Sequence, residues 1–189
     1  LEEEEGTGAT VKEDGFIYAD YIITDLEGNI SSYTYKETAK QLGTYDTTAY
    51  YGPKVITTIK STMQAGLADA IIGMKEGGHR KVIIPSWLMT YKSYDKPEEY
   101  LKNSSSGTNT IYDITIRSFA DSIYNYELDQ IGAYFKANSD VYGNMTPKDS
   151  ADVYGFYYKQ LQAPTDTTSF PKDTSIYINY TGRLLNGLV

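Results

Sequence analysis

The sequence has no cysteine, a single histidine, a single tryptophan and no long apolar run. Because there is no cysteine, a disulfide framework, a thiolate metal site and a catalytic thiol are all excluded. The longest apolar stretch, residues 68–74, contains Asp69 and is far shorter than the ~20 residues that span a bilayer. We therefore expect no transmembrane segment in this chain.

Positive charge is also scarce. Lysine and arginine total 17 against 25 aspartate and glutamate residues, which gives a net charge of -8. Such a surface repels the phosphate backbone of a nucleic acid, so no nucleic-acid partner is expected. The acidic start, residues 1–9, is interpreted as an N-terminal tail, which is either disordered or a solvated tether to a lipid anchor upstream.

Signals for cofactor chemistry are missing as well. The sequence shows no metal-ligand cluster, no phosphate-binding loop and no Ser-His-Asp arrangement. The spaced glycines of GTGATVKEDG precede the first predicted strand, whereas a dinucleotide-binding loop follows one. His79 comes directly after two glycines and is interpreted as a structural residue of an exposed turn. We expect no cofactor and no metal.

Tyrosine is abundant, with 20 residues. It favours strands, and its apolar ring with a polar tip suits half-buried sheet faces and peptide-binding pockets. Apolar residues alternate in several short segments, and they recur at three- and four-residue steps in one segment. The predicted elements are strands at residues 16–23, 31–35, 81–84 and 110–116, a helix within 57–75 and an exposed loop at 92–109. The strand at 81–84 is expected to be buried and central in the sheet.

The second part of the chain has a different character. Residues 120–137 predict an amphipathic helix with Ile123, Leu128 and Ile131 buried. A polar linker follows at 138–150, and residues 156–162 and 175–182 are strand-like. An isolated helix of this length is marginal in water, so its apolar face needs a partner.

An internal repeat connects the two parts. A shift of 159 residues places the segment IYADY, residues 17–21, on IYINY, residues 176–180, with Leu26 on Leu185 and Gly28 on Gly187. A period of this size indicates a duplicated domain, not a solenoid. The alternative is chance similarity between two tyrosine-rich strands.

Three separated segments resemble the FKBP family of peptidyl-prolyl isomerases. The family's opening strand and turn are similar to IYINYTGRLLNG, and IYADYIITDLEG is a drifted copy of the same feature. The family's helix, with the strand that runs into Ile-Pro, is similar to GLADAIIGMKEGGHRKVIIPSWL. Its closing strand is similar to TIYDITI. The resemblance implies an α+β fold, in which an antiparallel sheet curves around one short helix with an apolar pocket between them. The implied division is an acidic tail (1–9), a divergent FKBP-like domain (10–120), a linker helix and loop (121–150), and the opening strands of an incomplete second copy (151–189).

The family's catalysis needs no nucleophile, because an apolar pocket can favour the twisted prolyl amide over the planar one. The resemblance implies proline-containing segments of client proteins as partners. For each implied pocket residue the alternative role is core packing, and Trp87 is either a platform for proline or a lid on the core. The implied catalytic residues are Tyr21, Leu67, Ile84 and Tyr112, and the implied substrate-binding residues are Trp87, Tyr91 and Tyr51.

The chain departs from the family pattern at the pocket wall. A Phe-Asp pair of the family falls on Ser31 and Ser32, and a loop tyrosine falls on Thr90, next to Tyr91. Three hypotheses follow: a weakly active isomerase and folding factor, a non-catalytic peptide-binding or chaperone domain of a cell-envelope lipoprotein, and a structural spacer. The resemblance to tandem, tyrosine-rich family members implies a bacterial periplasmic or outer-membrane location.

Overall fold

Six strands with alternating side chains lie in the first part of the chain, and the described residues of the second part contain two helices. A computed structural model describes residues 2–103, 107–142, 162–166 and 168–184. It divides the chain into two compact units, Leu1–Ile123 and Tyr124–Val189. The strands are β1 (Glu2–Glu4), β2 (Phe16–Thr24), β3 (Ile30–Tyr33), β4 (Lys54–Thr57), β5 (His79–Ile84) and β6 (Thr110–Ala120). The helices are α1 (Lys36–Gln41), α2 (Ala65–Ile71), α3 (Pro97–Asn103), α4 (Ile123–Ala137) and α5 (Ser139–Tyr142), with 3₁₀ turns at Lys60–Thr62 and Ser86–Leu88.

All six strands join one antiparallel sheet in the order β1-β5-β6-β2-β3, with β4 also paired to β2. The strands predicted at 16–23 and 110–116 correspond to β2 and β6 and belong to one sheet, as predicted, in which they lie side by side. The prediction that 81–84 is central was wrong. Only Arg80 and His79 of β5 pair with β1, and Lys81 and Ile83 are exposed because alternate side chains of this strand face solvent.

Helix α2 packs against one face of this sheet and lies within the predicted range 57–75. The α+β class with an antiparallel sheet and a short helix is therefore confirmed. The core lies between them, because the inward-facing positions of β2 and β6 and the apolar positions of α2 are buried together. Its buried members are Val11, Ile17, Ala19, Met63, Ala68, Ala70, Ile71, Met74, Ile84, Tyr112, Ile114 and Ile116.

The acidic N-terminal segment is part of the domain, so its interpretation as a disordered tail was wrong. Residues 2–4 form β1, and Val11 is buried in the core. The amide of Gly8 donates to the carbonyl of Glu76, and the amide of Glu76 donates to the carbonyl of Ala9. Any residue other than proline can supply both backbone groups for such bonds, so an acidic composition does not prevent them.

The second unit contains most of α4, which matches the helix predicted at 120–137. Ile123, Leu128 and Ile131 are half-buried, whereas full burial was predicted. Helical spacing places Glu127 between Ile123 and Ile131 on the same face, and this interrupts the apolar stripe. None of the described helices is long and apolar enough to cross a membrane.

Residues 175–182 do not form a strand in the structure, so that prediction was wrong for this segment. Tyr177 is fully exposed and Tyr180 nearly so. A strand needs a neighbour to satisfy its backbone groups, and the described part of this unit contains no other strand. The predicted strand at 156–162 and most of the linker at 138–150 lie outside the described residues. The assignment of 151–189 to a second copy stays a prediction.

Candidate functional site

Tyr112 is at the centre of the site, between the sheet and the start of α2. It lies on β6, where its cross-strand neighbours are Ile23 and Val82. Its side chain is 9 % exposed, and its hydroxyl donates to Oε1 of Gln64 over 3.5 Å. Gln64 is the residue just before α2. The phenol therefore reaches from the sheet to the N-terminus of the helix.

Two further tyrosines lie near this phenol. Burial raises the pKa of Tyr112 above its ordinary value of 10.0, and electrostatic interactions with Tyr91 and Tyr21 raise it further. The Tyr112 hydroxyl is therefore a neutral hydrogen-bond donor at physiological pH. Three of the predicted site residues therefore interact electrostatically, although they come from β2, from β6 and from the segment after the Ser86–Leu88 turn.

Tyr21 forms the β2 side of the site. It lies opposite Ile114, is half-buried and packs against the core. Thr34 forms hydrogen bonds with both the amide and the carbonyl of Tyr21. The Tyr21 amide donates to Thr34 Oγ1 over 3.0 Å, and the Thr34 amide donates to the Tyr21 carbonyl over 3.0 Å. Two hydrogen bonds therefore join the Tyr21 backbone to the residue that follows β3.

Leu67 and Ile84 have different accessibility. Leu67, on α2, is half-buried and packs against the core. Ile84, at the end of β5, is 3 % exposed, and its Cγ2 occupies the space above Gly66. A ligand could touch Leu67, whereas the side chain of Ile84 serves core packing.

Trp87 and Tyr91 lie beyond the Ile-Pro segment. The Trp87 ring is tilted against Tyr100 at a centroid distance of 6.1 Å, and Tyr100 meets Tyr94 edge-on at 4.9 Å. Sequence reasoning missed both partners, because it interpreted residues 92–109 as a loop, whereas the structure forms α3 there. Tyr91 is 62 % exposed, so it is accessible to a ligand.

Tyr51 lies in a different aromatic pair. Its ring stacks on Tyr45 at a centroid distance of 5.6 Å, and its hydroxyl accepts a hydrogen bond from the Asp46 amide over 3.0 Å. These contacts fix Tyr51 to the segment that follows α1. A substrate-binding role for it stays a prediction.

Small residues occupy β3 at the positions where the family resemblance implies an aromatic ring and a carboxylate. Ser32 lies opposite Ile23, and the Ser31 hydroxyl donates to the carbonyl of Ile23 over 3.3 Å. A cavity of about 330 Å³ opens at this end of the sheet, and the seven predicted residues do not line it. Its lining residues are Thr24, Asp25, Asn29, Ile30, Ser31, Thr108, Asn109 and Thr110.

A buried carboxylate beside the site was not found from the sequence. Asp20 is 6 % exposed and accepts hydrogen bonds from Thr34 Oγ1 over 2.9 Å and from Arg117 Nε over 2.6 Å. The hydrogen bond to Asp20 raises the pKa of Arg117. The sequence did offer one signal, which is an aspartate inside an apolar strand. A charge that is buried in such a strand needs hydrogen-bonding or ionic partners.

No family model and no curated protein sequence matches this chain. Solved structures do match it. FkpA from Escherichia coli has a TM-score of 0.44 and 17% identity over 64% of this chain and 46% of FkpA. A peptidyl-prolyl cis-trans isomerase from Pseudomonas syringae pv. tomato has a TM-score of 0.43 and 16% identity over 64% of this chain and 73% of that protein. AtFKBP13 has a TM-score of 0.43 and 17% identity over 64% of this chain and 90% of that protein.

The chain therefore spans less than half the length of FkpA. Likeness at these identities concerns the course of the backbone and not activity, because one fold can support many functions. Function has to be inferred from the side chains of the site.

Proposed function

We propose that residues 10–120 form an FKBP-type peptidyl-prolyl isomerase domain that binds proline-containing segments of client proteins, and that this copy is a weak catalyst. The observation that carries the proposal is that Tyr21 and Leu67 pack, half-buried, against the core cluster that contains Tyr112, with Tyr91 and Tyr21 both interacting electrostatically with Tyr112. Apolar rings with polar tips suit a site that encloses a prolyl ring and hydrogen-bonds its carbonyl.

The chemistry requires no covalent step. Amide resonance makes X-Pro rotation slow, so a catalyst must stabilise the twisted amide more than the planar one. An apolar enclosure supports this by excluding water from the prolyl carbonyl. The Tyr112 hydroxyl is 3.5 Å from Gln64 Oε1, which makes a weak hydrogen bond that a substrate carbonyl can replace.

Weak catalysis is proposed because the enclosure is incomplete. Ser31 and Ser32 supply neither an aromatic ring nor a carboxylate at the β3 edge. Water can then reach the prolyl carbonyl, and the advantage of the twisted state decreases. Binding should be less affected than catalysis, since Tyr21, Leu67 and Tyr91 still offer apolar surface.

A protease-coupled assay with a Leu-Pro peptide tests this proposal on the 189-residue chain. We expect acceleration at least ~10-fold below that of an intact family member, which corresponds to ~1.4 kcal/mol of transition-state stabilisation. The double variant Tyr21→Ala with Tyr112→Ala should abolish it. Tyr177→Ala is the control, because this side chain is fully exposed. If the double variant keeps the activity of the unmodified chain, the site is assigned wrongly.

A second candidate is a non-catalytic FKBP-like chaperone or peptide-binding domain of a cell-envelope lipoprotein. The serines at the β3 edge favour it, because they remove the part of the pocket that excludes water. Saturable peptide binding without any acceleration of isomerisation would select this candidate. Secretion and lipid labelling of the protein in its own cells would test the envelope location.

A further inference from the structure

Thr34 completes the pairing between β2 and β3 with its side chain. β3 ends at Tyr33, and Thr34 is the next residue, where the chain leaves the sheet towards α1. Its amide donates to the Tyr21 carbonyl, but the Tyr21 amide donates to the Thr34 hydroxyl and not to a carbonyl. Thr34 is 1 % exposed, so water cannot replace this hydroxyl easily.

The same hydroxyl is oriented by Asp20. Because it donates its only proton to Asp20 Oδ1, its lone pairs are directed towards the Tyr21 amide. Asp20 is fixed in turn by Arg117. A bulge makes this contact possible: Tyr18 pairs with Ser118 and Ala19 with Ile116, so Arg117 is the extra residue on β6.

We infer that Asp20 and Thr34 are positioning residues that hold the Tyr21 ring in the site through its backbone. This inference rests on the proposed function, in which Tyr21 forms a wall around the prolyl ring. Arg117, Asp20 and Thr34 form a hydrogen-bonded series from β6 across β2 to the end of β3. Rotation of the Tyr21 backbone would break the last bond of this series, which the Tyr21 amide donates to the Thr34 hydroxyl. A ring that is already positioned binds a ligand at lower entropic cost.

The chain contains a matched control for this arrangement. Thr58 follows β4 as Thr34 follows β3, and it is also fully buried. The Gly15 amide donates to Thr58 Oγ1 over 2.8 Å, and the Thr58 amide donates to the Gly15 carbonyl over 2.8 Å. Thr34 and Thr58 therefore make the same pair of bonds, but only the bonds of Thr34 hold a residue of the site.

The test compares Thr34→Val, Thr34→Ser and Thr58→Val in the full chain by titration with a fluorescein-labelled Leu-Pro peptide. Thr34→Val should raise the Kd about 3- to 10-fold, the factor of one lost hydrogen bond. Thr34→Ser should restore the Kd of the unmodified chain. Thr58→Val should lower the melting temperature, as Thr34→Val does. Unlike Thr34→Val, it should leave the Kd for the peptide unchanged. Equal Kd values for the two valine variants would overturn the inference.

A second measurement separates this inference from the proposed function. In NMR spectra, Thr34→Val should shift the ring resonances of Tyr21 and speed exchange of its amide proton, whereas Thr58→Val should not. If the unmodified chain does not bind the peptide, the proposed function fails, and the Tyr21 resonances alone decide the positioning role. If Thr34→Val does not fold, Arg117→Gln replaces it in the test. The Arg117 side chain is half-exposed, and its substitution removes the ion pair that fixes Asp20. An unchanged Tyr21 ring in the folded variant would exclude positioning.

Discussion

At the scale of single residues, Gly66 sets the distance between α2 and β5. A Cβ at this position would lie 2.4 Å from Ile84 Cγ2 and 2.9 Å from Leu88 Cβ. Neither atom is the free end of a flexible side chain, and Ile84 is fully buried. The helix can therefore approach the sheet this closely only with glycine in its first turn.

We predict that Gly66→Ala destabilises the domain by about 1–3 kcal/mol, because overpacking outweighs the gain of up to ~1 kcal/mol in helix propensity. Gly132→Ala, on α4, is the matched control, since an added Cβ there meets nothing within 4 Å. That change should not destabilise the chain. Urea unfolding of both variants measures the difference, and stabilisation by both substitutions would show that α2 lies farther from β5.

The alkaline stability of the protein should depend on Tyr112. Its folded-state pKa is raised above 10.0, mainly by burial, so the fold favours the neutral phenol. The associated stability is fully present below about pH 10 and is lost as the pH rises through the folded-state pKa. We predict that Tyr112→Phe loses less stability between pH 9 and 11 than the unmodified chain. Tyr177→Phe, at a fully exposed position, should leave this decrease unchanged; equal curves for all three proteins would contradict the prediction.

The sequence predicted the site only in part. Tyr21 and Tyr112 were assigned to the site by the family resemblance, and the apolar pattern of residues 16–23 and 110–116 predicted the strands on which they lie. The packing of Tyr100 on Trp87 could not be predicted, because α3 lies in a polar segment without apolar periodicity. The contact of Arg117 with Asp20 depends on a β-bulge, which shifts the register without a signal in the sequence.

At the scale of elements, the N-terminal segment shows why composition is a weak guide to pairing. β1 contains glutamates, yet it adds to the edge of β5 through backbone hydrogen bonds. Val11 then enters the core, with its amide bonded to the Met74 carbonyl and its carbonyl to the Gly73 amide. Strands β2 and β6 and helix α2 could be predicted from apolar periodicity, whereas β1 could not.

Two truncations should separate the contributions of β1 and Val11. Removal of residues 1–5 deletes β1 and should cost about 1 kcal/mol or less, because few backbone bonds at an edge are lost. Removal of residues 1–11 also deletes a fully buried valine and its two hydrogen bonds and should cost about 3 kcal/mol or more. Urea unfolding measures both. If both truncations cost the same, Val11 is not part of the core in solution.

At the scale of the whole molecule, the hydrophobic core formed by the described residues lies in the first unit. The buried cluster runs from Val11 to Ile116, and α4 has no fully buried side chain. The second unit instead exposes large apolar groups, with Tyr177 fully exposed and Phe170 at 74 %. Exposed apolar segments of this kind promote association.

We therefore predict that the fragment of residues 1–123 folds on its own and unfolds with a free energy within about 1 kcal/mol of the full chain, since every residue of the described core cluster lies within it. Its binding of the Leu-Pro peptide should match that of the full chain, because Tyr21, Leu67, Tyr91 and Tyr112 all lie within it. The fragment should also stay monomeric at higher concentration, because the exposed apolar side chains of residues 168–184 are gone. Urea unfolding, peptide titration and analytical ultracentrifugation of both proteins test these three expectations. A fragment that is unfolded, or that loses binding, would show that residues 124–189 complete the domain, and the boundary between the units would then have to move towards the C-terminus.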